Sequence, residues 1–235
     1  MQFGKQIKLK AFRYPPKDYR KGVIFSIHGY GSHSNINGML AKCWAANNYE
    51  VFALDQRGFG ASEGQRAIVE NAEDVYNDHW LFIFEAIKKY KIDQQKTPMF
   101  LFGRSFGGLL ASNMAAEPIA KPMFSGVVAF EPFYKFITDK LNRFEPLFKT
   151  LNTVHPHWIA KRDLPERPQE FRDKWGDLDK DPLIVRDYSA RMAKLWLDEQ
   201  RKVGSSLGET EIPVLFVVAE RDDVVDNART NELFE

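Results

Sequence analysis

One cysteine in 235 residues, Cys43, leaves nothing to form an internal disulfide and too little to build a cysteine zinc site. That fits a reducing compartment. Neither sign of charge dominates: 33 lysines and arginines stand against 32 aspartates and glutamates, a formal net charge of +1. Such a balance gives no reason to expect nucleic acid as a partner or a polybasic membrane patch. Long hydrophobic runs are missing too, since none approaches the roughly 18 apolar residues that a spanning helix needs. Residues 1–10 (MQFGKQIKLK) lack the apolar centre of a signal peptide and alternate as a strand does. The expectation is a soluble, intracellular, cytoplasmic chain. His155 and His157 are a histidine pair without a third ligand at a telling spacing, and no cofactor motif occurs, so neither metal nor cofactor is expected. What the chain does hold is aromatic side chains, 5 Trp, 8 Tyr and 19 Phe, far too many for disorder.

The order of elements points to one fold class. Residues 6–12 alternate in strand fashion up to Pro15 and Pro16. Residues 22–27 (GVIFSI), 50–54 (EVFAL), 98–102, 124–130 and 212–218 are short apolar runs, as strands buried on both faces should be. Between them lie helical spacings: 36–47 with Met39, Leu40, Cys43 and Trp44 on one side, 67–90 with Val75, Leu81, Ile83, Phe84 and Ile87, then 105–116 and about 183–203. Apolar strands alternating with amphipathic helices predict an α/β protein, a mostly parallel sheet covered on both faces, with its chemistry at the carboxyl ends of the strands. An irregular, proline-punctuated stretch interrupts it. The expected organisation is a first part of the core over 1–130, a cap insertion over 131–182 and a second part of the core over 183–235. Within the insertion the charged residues of 161–180 read as a solvated excursion. Phe133, Tyr134, Phe136, Phe144, Leu147, Phe148 and Trp158 suit a cap that drapes an apolar surface over the strand ends.

Four loops at those strand ends carry unusual residues. Gly103-Arg104-Ser105-Phe106-Gly107 is a G-x-S-x-G sequence directly after a strand and directly before a helix. A nucleophile on so tight a turn needs glycine two residues before and two after, and the helix N-terminus beneath it favours negative charge. Ser105 is thus the candidate nucleophile. His28-Gly29-Tyr30-Gly31 also follows a buried strand. Acyl transfer needs two backbone N–H groups aimed at the developing oxyanion, and Tyr30 and Phe106 are the candidates. His28, beside Gly29, is expected to shape that loop rather than serve as base. Asp55 to Gly64 (DQRGFGASEG) reads as a rigidly hydrogen-bonded turn. The loop after residue 218 offers Glu220, Asp222, Asp223 and Asp226 as carboxylates to orient a base, with Glu131 a more distant fifth.

On these motifs the chain resembles the monoglyceride lipase branch of the α/β-hydrolase fold, grouped also with the S33-type serine aminopeptidase hydrolases. HGYGSH, DQRGFGASEGQR, GRSFGG, DKDPLIVRDYSARM and IPVLFVVAERDDVVD run in family order from about residue 3 to residue 235. The resemblance implies Ser105 as nucleophile, Asp222 as the triad acid, Tyr30 and Phe106 as oxyanion donors, and a cap over a lipid-like acyl chain. It departs from the family at Arg104 and Phe106, where His and Met are usual, and at Ala219, usually Gly. The implied substrate is a small lipid or ester, with peripheral membrane contact through the cap.

The base is the outstanding question. In this fold the order is Ser, then Asp or Glu, then His, yet His28, His33, His79, His155 and His157 all precede Asp222. Two expectations follow. In one, a further strand, a histidine and a helix lie beyond residue 235, and the chain is a serine hydrolase of carboxylic esters, monoacylglycerol-like lipids in particular, working through an acyl-enzyme on Ser105. In the other the chain is a catalytically silent structural subunit, with a protein partner covering the C-terminal sheet edge. A peptidase of S33 type, with the same triad under a different cap, is the third reading.

Overall fold

The computed structural model describes residues 7–137, 144–161, 170, 172–173 and 178–234. In chain order they form strands β1 (Ala11–Tyr14) and β2 (Gly22–Ile27), helix α1 (Gly38–Ala46), β3 (Tyr49–Leu54), α2 (Ala72–Lys89), β4 (Met99–Arg104), α3 (Phe106–Ala115) and β5 (Gly126–Phe130). Then come α4 (Glu145–Val154), β6 (Ile159–Lys161), β7 (Asp187–Ser189), α5 (Ala190–Glu209), β8 (Val214–Val217) and α6 (Asn227–Phe234). The main sheet has six strands in the order β1-β3-β2-β4-β5-β8. Only β1 runs antiparallel; the other pairings are parallel. The chain leaves β2 in one direction to reach β3 and crosses back to β4, so the loops after β2 and β4 open a crevice at the switch of direction.

Every residue of β2 is buried, which is what a central parallel strand of Val, Ile and Phe dictates. On one face α2, α3 and α5 bury Val75, Ile83, Leu109, Leu110, Met192 and Trp196 against Phe25, Leu101 and Val127. Each such side chain, fully buried, stabilises the fold by about 1.5–3 kcal/mol before entropy is counted. The other face carries a smaller cluster of Ile24, Ala41, Val51 and Phe102.

Several elements differ from the pattern. The first strand starts at Ala11 rather than residue 6: Lys8 and Lys10 instead donate their amides to the side chains of Glu63 and Ser62, 2.8 Å each, lacing the segment to the loop after β3. On α1, Met39, Leu40 and Cys43 face solvent, and Gly38 and Ala41 are the buried positions. The helix lies so close to β1 that a Cβ on Gly38 would sit 3.2 Å from the Tyr14 hydroxyl, so small residues make the contact. On α2, Leu81 and Phe84 are exposed, while Tyr76, His79 and Trp80 turn inward. The Tyr76 hydroxyl finds Glu199 of α5, and Trp80 Nε1 donates to Glu117 at 2.8 Å, so polar tips with distant partners outcompete plain apolar residues for the inner face. Helix α5 begins at Ala190 rather than near 183 because Ser189 caps it, its Oγ accepting from Met192 N at 3.1 Å. The charged stretch expected over 161–180 falls largely outside the described residues.

Candidate active site

β4 passes into α3 through a single residue, Ser105, held at φ +53° and ψ −119°. An L-residue pays strain of about 1–3 kcal/mol there, so the surroundings must over-determine it. They do. Ser105 donates its amide to Phe130 O at 2.9 Å, and its carbonyl accepts from Gly108 N (2.9 Å), Phe133 N (3.0 Å) and Leu109 N (3.1 Å). A Cβ on Gly103 would lie 2.1 Å from Gly107 O, and one on Gly107 would lie 2.2 Å from Ile27 O. Neither position tolerates a side chain. Ser105 itself is partly open to solvent.

The loop after β2 lies directly against this turn: a Cβ on Gly29 would sit 3.2 Å from the Ser105 Cβ. Tyr30 and Phe106 therefore lie side by side, ring centroids 6.4 Å apart in an edge-on contact. Phe106 opens α3, so its amide belongs to the helix's first turn, which has no intrahelical acceptor and carries the positive end of the dipole. His28 is buried and holds the loop's start. Its Nδ1 sits 2.8 Å from Gly29 O, and its Nε2 accepts from Gln56 N at 2.9 Å, a pattern that fits the neutral ring with the proton on Nδ1. Burial lowers its pKa to about 4 against the ordinary 6.5, so it stays uncharged at neutral pH. The loop's far end is held by Asp55, which accepts from Ser34 N (2.7 Å) and Ala61 N (2.9 Å).

The carboxylates after β8 have separate employments. Asp222 Oδ1 accepts from Val224 N and Val225 N, 2.8 Å each, which closes its own turn. Asp226 pairs with Lys135 at 3.1 Å and accepts from Ala228 N at the start of α6. Glu131, at φ +46°, pairs with Arg104 at 3.2 Å. Asp222 is thus the carboxylate bound to backbone amides alone among these three.

No histidine is bonded to Ser105 or Asp222 among the described residues. His33 Nε2 lies 3.0 Å from Asp181, with Nδ1 buried and unpaired. His79 is buried in α2, where burial and the neighbouring His28 lower its pKa to about 3. His157 reaches Glu70 at 2.7 Å, and His155 is exposed. The base expected beyond residue 235 lies outside the described residues. Among these no cluster of histidine, cysteine or carboxylates could hold a metal ion.

The insertion supplies two different surfaces. Phe133, Tyr134 and Phe148 are buried; Phe133 and Phe136 meet edge-on at 4.3 Å and both pack on Trp196 of α5, at 5.9 and 5.8 Å. Tyr30 meets the same indole at 4.6 Å, so one aromatic cluster joins residues 133–136 to the loop after β2. The outer surface is the reverse. Phe144, Leu147, Val154 and Trp158, three to seven residues apart along α4 and its exit, are all exposed. Sequence inspection missed Trp196 and the bonds that join residues 181–187 to the loop after β2. Separations of around 150 residues leave no local signal.

Comparison with known proteins follows the same lines. The family model described as serine aminopeptidase, S33, matches residues 18–235. The human protein named monoglyceride lipase is 32% identical over 224 residues, covering 94% of this chain and 72% of its own length. Its mouse counterpart is 28% identical over 174 residues, covering 74% of this chain and 55% of its own. The crystal structure of a soluble variant of monoglyceride lipase from Saccharomyces cerevisiae, in complex with a substrate analog, superposes with a TM-score of 0.83. It is 20% identical, and the match covers 99% of this chain and 80% of that one. At that identity the match speaks for the fold.

Proposed function

The chain belongs to the S33 serine aminopeptidase family and is a monoglyceride lipase-like α/β hydrolase, and from that premise we propose that it hydrolyses carboxylic esters, monoacylglycerol-like lipids in particular, through an acyl-enzyme on Ser105. The observation that carries the reading is the strained Ser105 turn at a strand-to-helix junction, with the Gly29-Tyr30 backbone lying against it. Ser105 Oγ attacks the acyl carbon. The amides of Tyr30 and Phe106 hold the oxyanion of the tetrahedral intermediate, whose collapse expels the glycerol-like alcohol and leaves the acyl group on Oγ. Water then attacks the same carbon over the same two amides, releasing the acyl group as a carboxylic acid and returning free serine. Both steps need an imidazole to take and return a proton. His28 is buried and neutral, and His33, His79, His155 and His157 are occupied or sited elsewhere, so this reading calls for an imidazole other than these, oriented by Asp222. The exposed stripe of Phe144, Leu147, Val154 and Trp158 suits a lipid surface from which such a substrate would be drawn.

The test is labelling of the full-length protein by a fluorophosphonate probe. Ser105 should be labelled and Ser105→Ala should not; absence of label on folded protein that retains its histidine would sink the proposal. A second reading, a silent structural subunit, draws on the absence, among the described residues, of an imidazole bonded to Ser105 or Asp222, and on β8, the outermost strand among them. It is favoured if Ser105→Ala leaves assembly and fitness unaltered. Peptidase chemistry is separated by comparing nitrophenyl esters with aminoacyl anilides as substrates.

A further inference from the structure

The loop that would present the Tyr30 amide is tied to the segment that returns from the cap, by three bonds that cross most of the chain. Tyr30 Oη donates to Asp187 O in β7 at 2.7 Å. Val185 N donates to Gly31 O at 2.8 Å. His33 Nε2 and Asp181 Oδ2 lie 3.0 Å apart. Asp187 in turn pairs with Lys161 across the β6–β7 ribbon, so the ties end on the base of the cap.

Their placement matters because of what flanks Tyr30. Gly29 and Gly31 stand on either side, and Gly31 sits at φ +72°. Glycine imposes little preference of its own, so the direction of the Tyr30 N–H is set by what the neighbouring groups are bonded to. His28 and Ser34 anchor the ends of the loop to residues 55–56. Between those anchors, the three bonds to residues 181–187 and the packing of the buried Tyr30 ring on Phe59 (5.1 Å) and Trp196 (4.6 Å) hold the middle.

We propose that the Tyr30 hydroxyl, through Asp187, is a positioning group for the oxyanion site, so that the cap's return segment sets the aim of the Tyr30 amide. This rests on the assignment of that amide as an oxyanion donor. Donors act at 2.7–3.1 Å from the developing charge, and removing one outright costs roughly 10²–10³ in rate, so a donor left in place but free to swing costs part of that.

Tyr30→Phe in the full-length chain removes the hydroxyl and keeps the ring. The expected result is a fall of roughly tenfold in kcat on a nitrophenyl ester, with KM within about twofold of the parent, as befits an interaction made in the transition state. Amide hydrogen exchange at residues 29–33 should quicken in the same variant, and Asp181→Ala should show the same split to a smaller degree. A folded Tyr30→Phe protein with unchanged kcat overturns the proposal, as does a raised KM with kcat intact, which would mean that the hydroxyl only shapes the pocket. A parent chain that never takes the fluorophosphonate label overturns the functional reading instead; in that case unaltered exchange at 29–33 in Tyr30→Phe overturns the tie itself.

Discussion

At the turn that carries Ser105, one added methyl group would meet backbone at 2.1 Å from Gly103 or 2.2 Å from Gly107, and α3 behind it is buried throughout. At the turn that carries Asp222, the carboxylate is held by two amide bonds of 2.8 Å within its own loop, at the end of the outermost strand among the described residues. The first turn is determined by repulsion among atoms that cannot move; the second by attraction among atoms that could find other partners. A repulsive constraint tolerates almost no substitution, whereas an attractive one tolerates any residue that keeps the acceptor.

That contrast can be broken most directly at Gly107. Gly107→Ala should destabilise the protein by more than about 3 kcal/mol, or abolish folding, because Ile27 O belongs to the central strand and has nowhere to go. Urea unfolding checks it, and a stable, active Ala variant would mean that the elbow is looser than its geometry implies.

Acid comes next. His28 and His79 are buried with pKa values lowered to about 4 and about 3, against 6.5 for the free side chain. The unfolded chain binds their protons first, so stability is full above pH 6.5 and is lost as pH falls toward 4. For His28 alone the loss is on the order of 3 kcal/mol over that window. Urea midpoints between pH 7 and pH 4 should drop accordingly, and His79→Leu should flatten the slope by one proton's worth. A flat profile in the parent would show that the rings are hydrated in solution.

The smallest change in stability belongs to Asp222→Asn. Asparagine keeps Oδ1 as acceptor for Val224 and Val225, so the unfolding free energy from urea titration should stay within about 0.5 kcal/mol of the parent. On the role proposed for Asp222, fluorophosphonate labelling should nevertheless slow by roughly 10⁴-fold, because the charge proposed to stabilise an imidazolium is gone. A large loss of stability would mean that the ionised carboxylate, not the turn, holds this loop.

Much of the architecture was legible beforehand. Short apolar runs at 22–27, 50–54 and 124–130 became parallel strands because only the interior of a sheet accepts residues that are apolar on both sides. The helix faces were less legible. Leu81 and Phe84 lost the inner face of α2 to Tyr76 and Trp80, whose polar tips meet Glu199 on α5 and Glu117 in the turn after α3. No window around residue 80 contains those partners. The same holds for α1, where closeness to β1, not the apolar count, decides that Gly38 and Ala41 face inward.

What the amino-acid sequence determined by itself is the alternation of strand and helix and the turn at Ser105, because both arise from sterics and solvation within a few residues. Which carboxylates are tied up in ion pairs, which histidines are locked away, and how the loop of Tyr30 is held were decided by the tertiary structure alone. The Tyr30 hydroxyl and the carbonyl it binds lie 157 residues apart. Contacts of that span exist only once the fold has brought the end of β2 and the β6–β7 ribbon together.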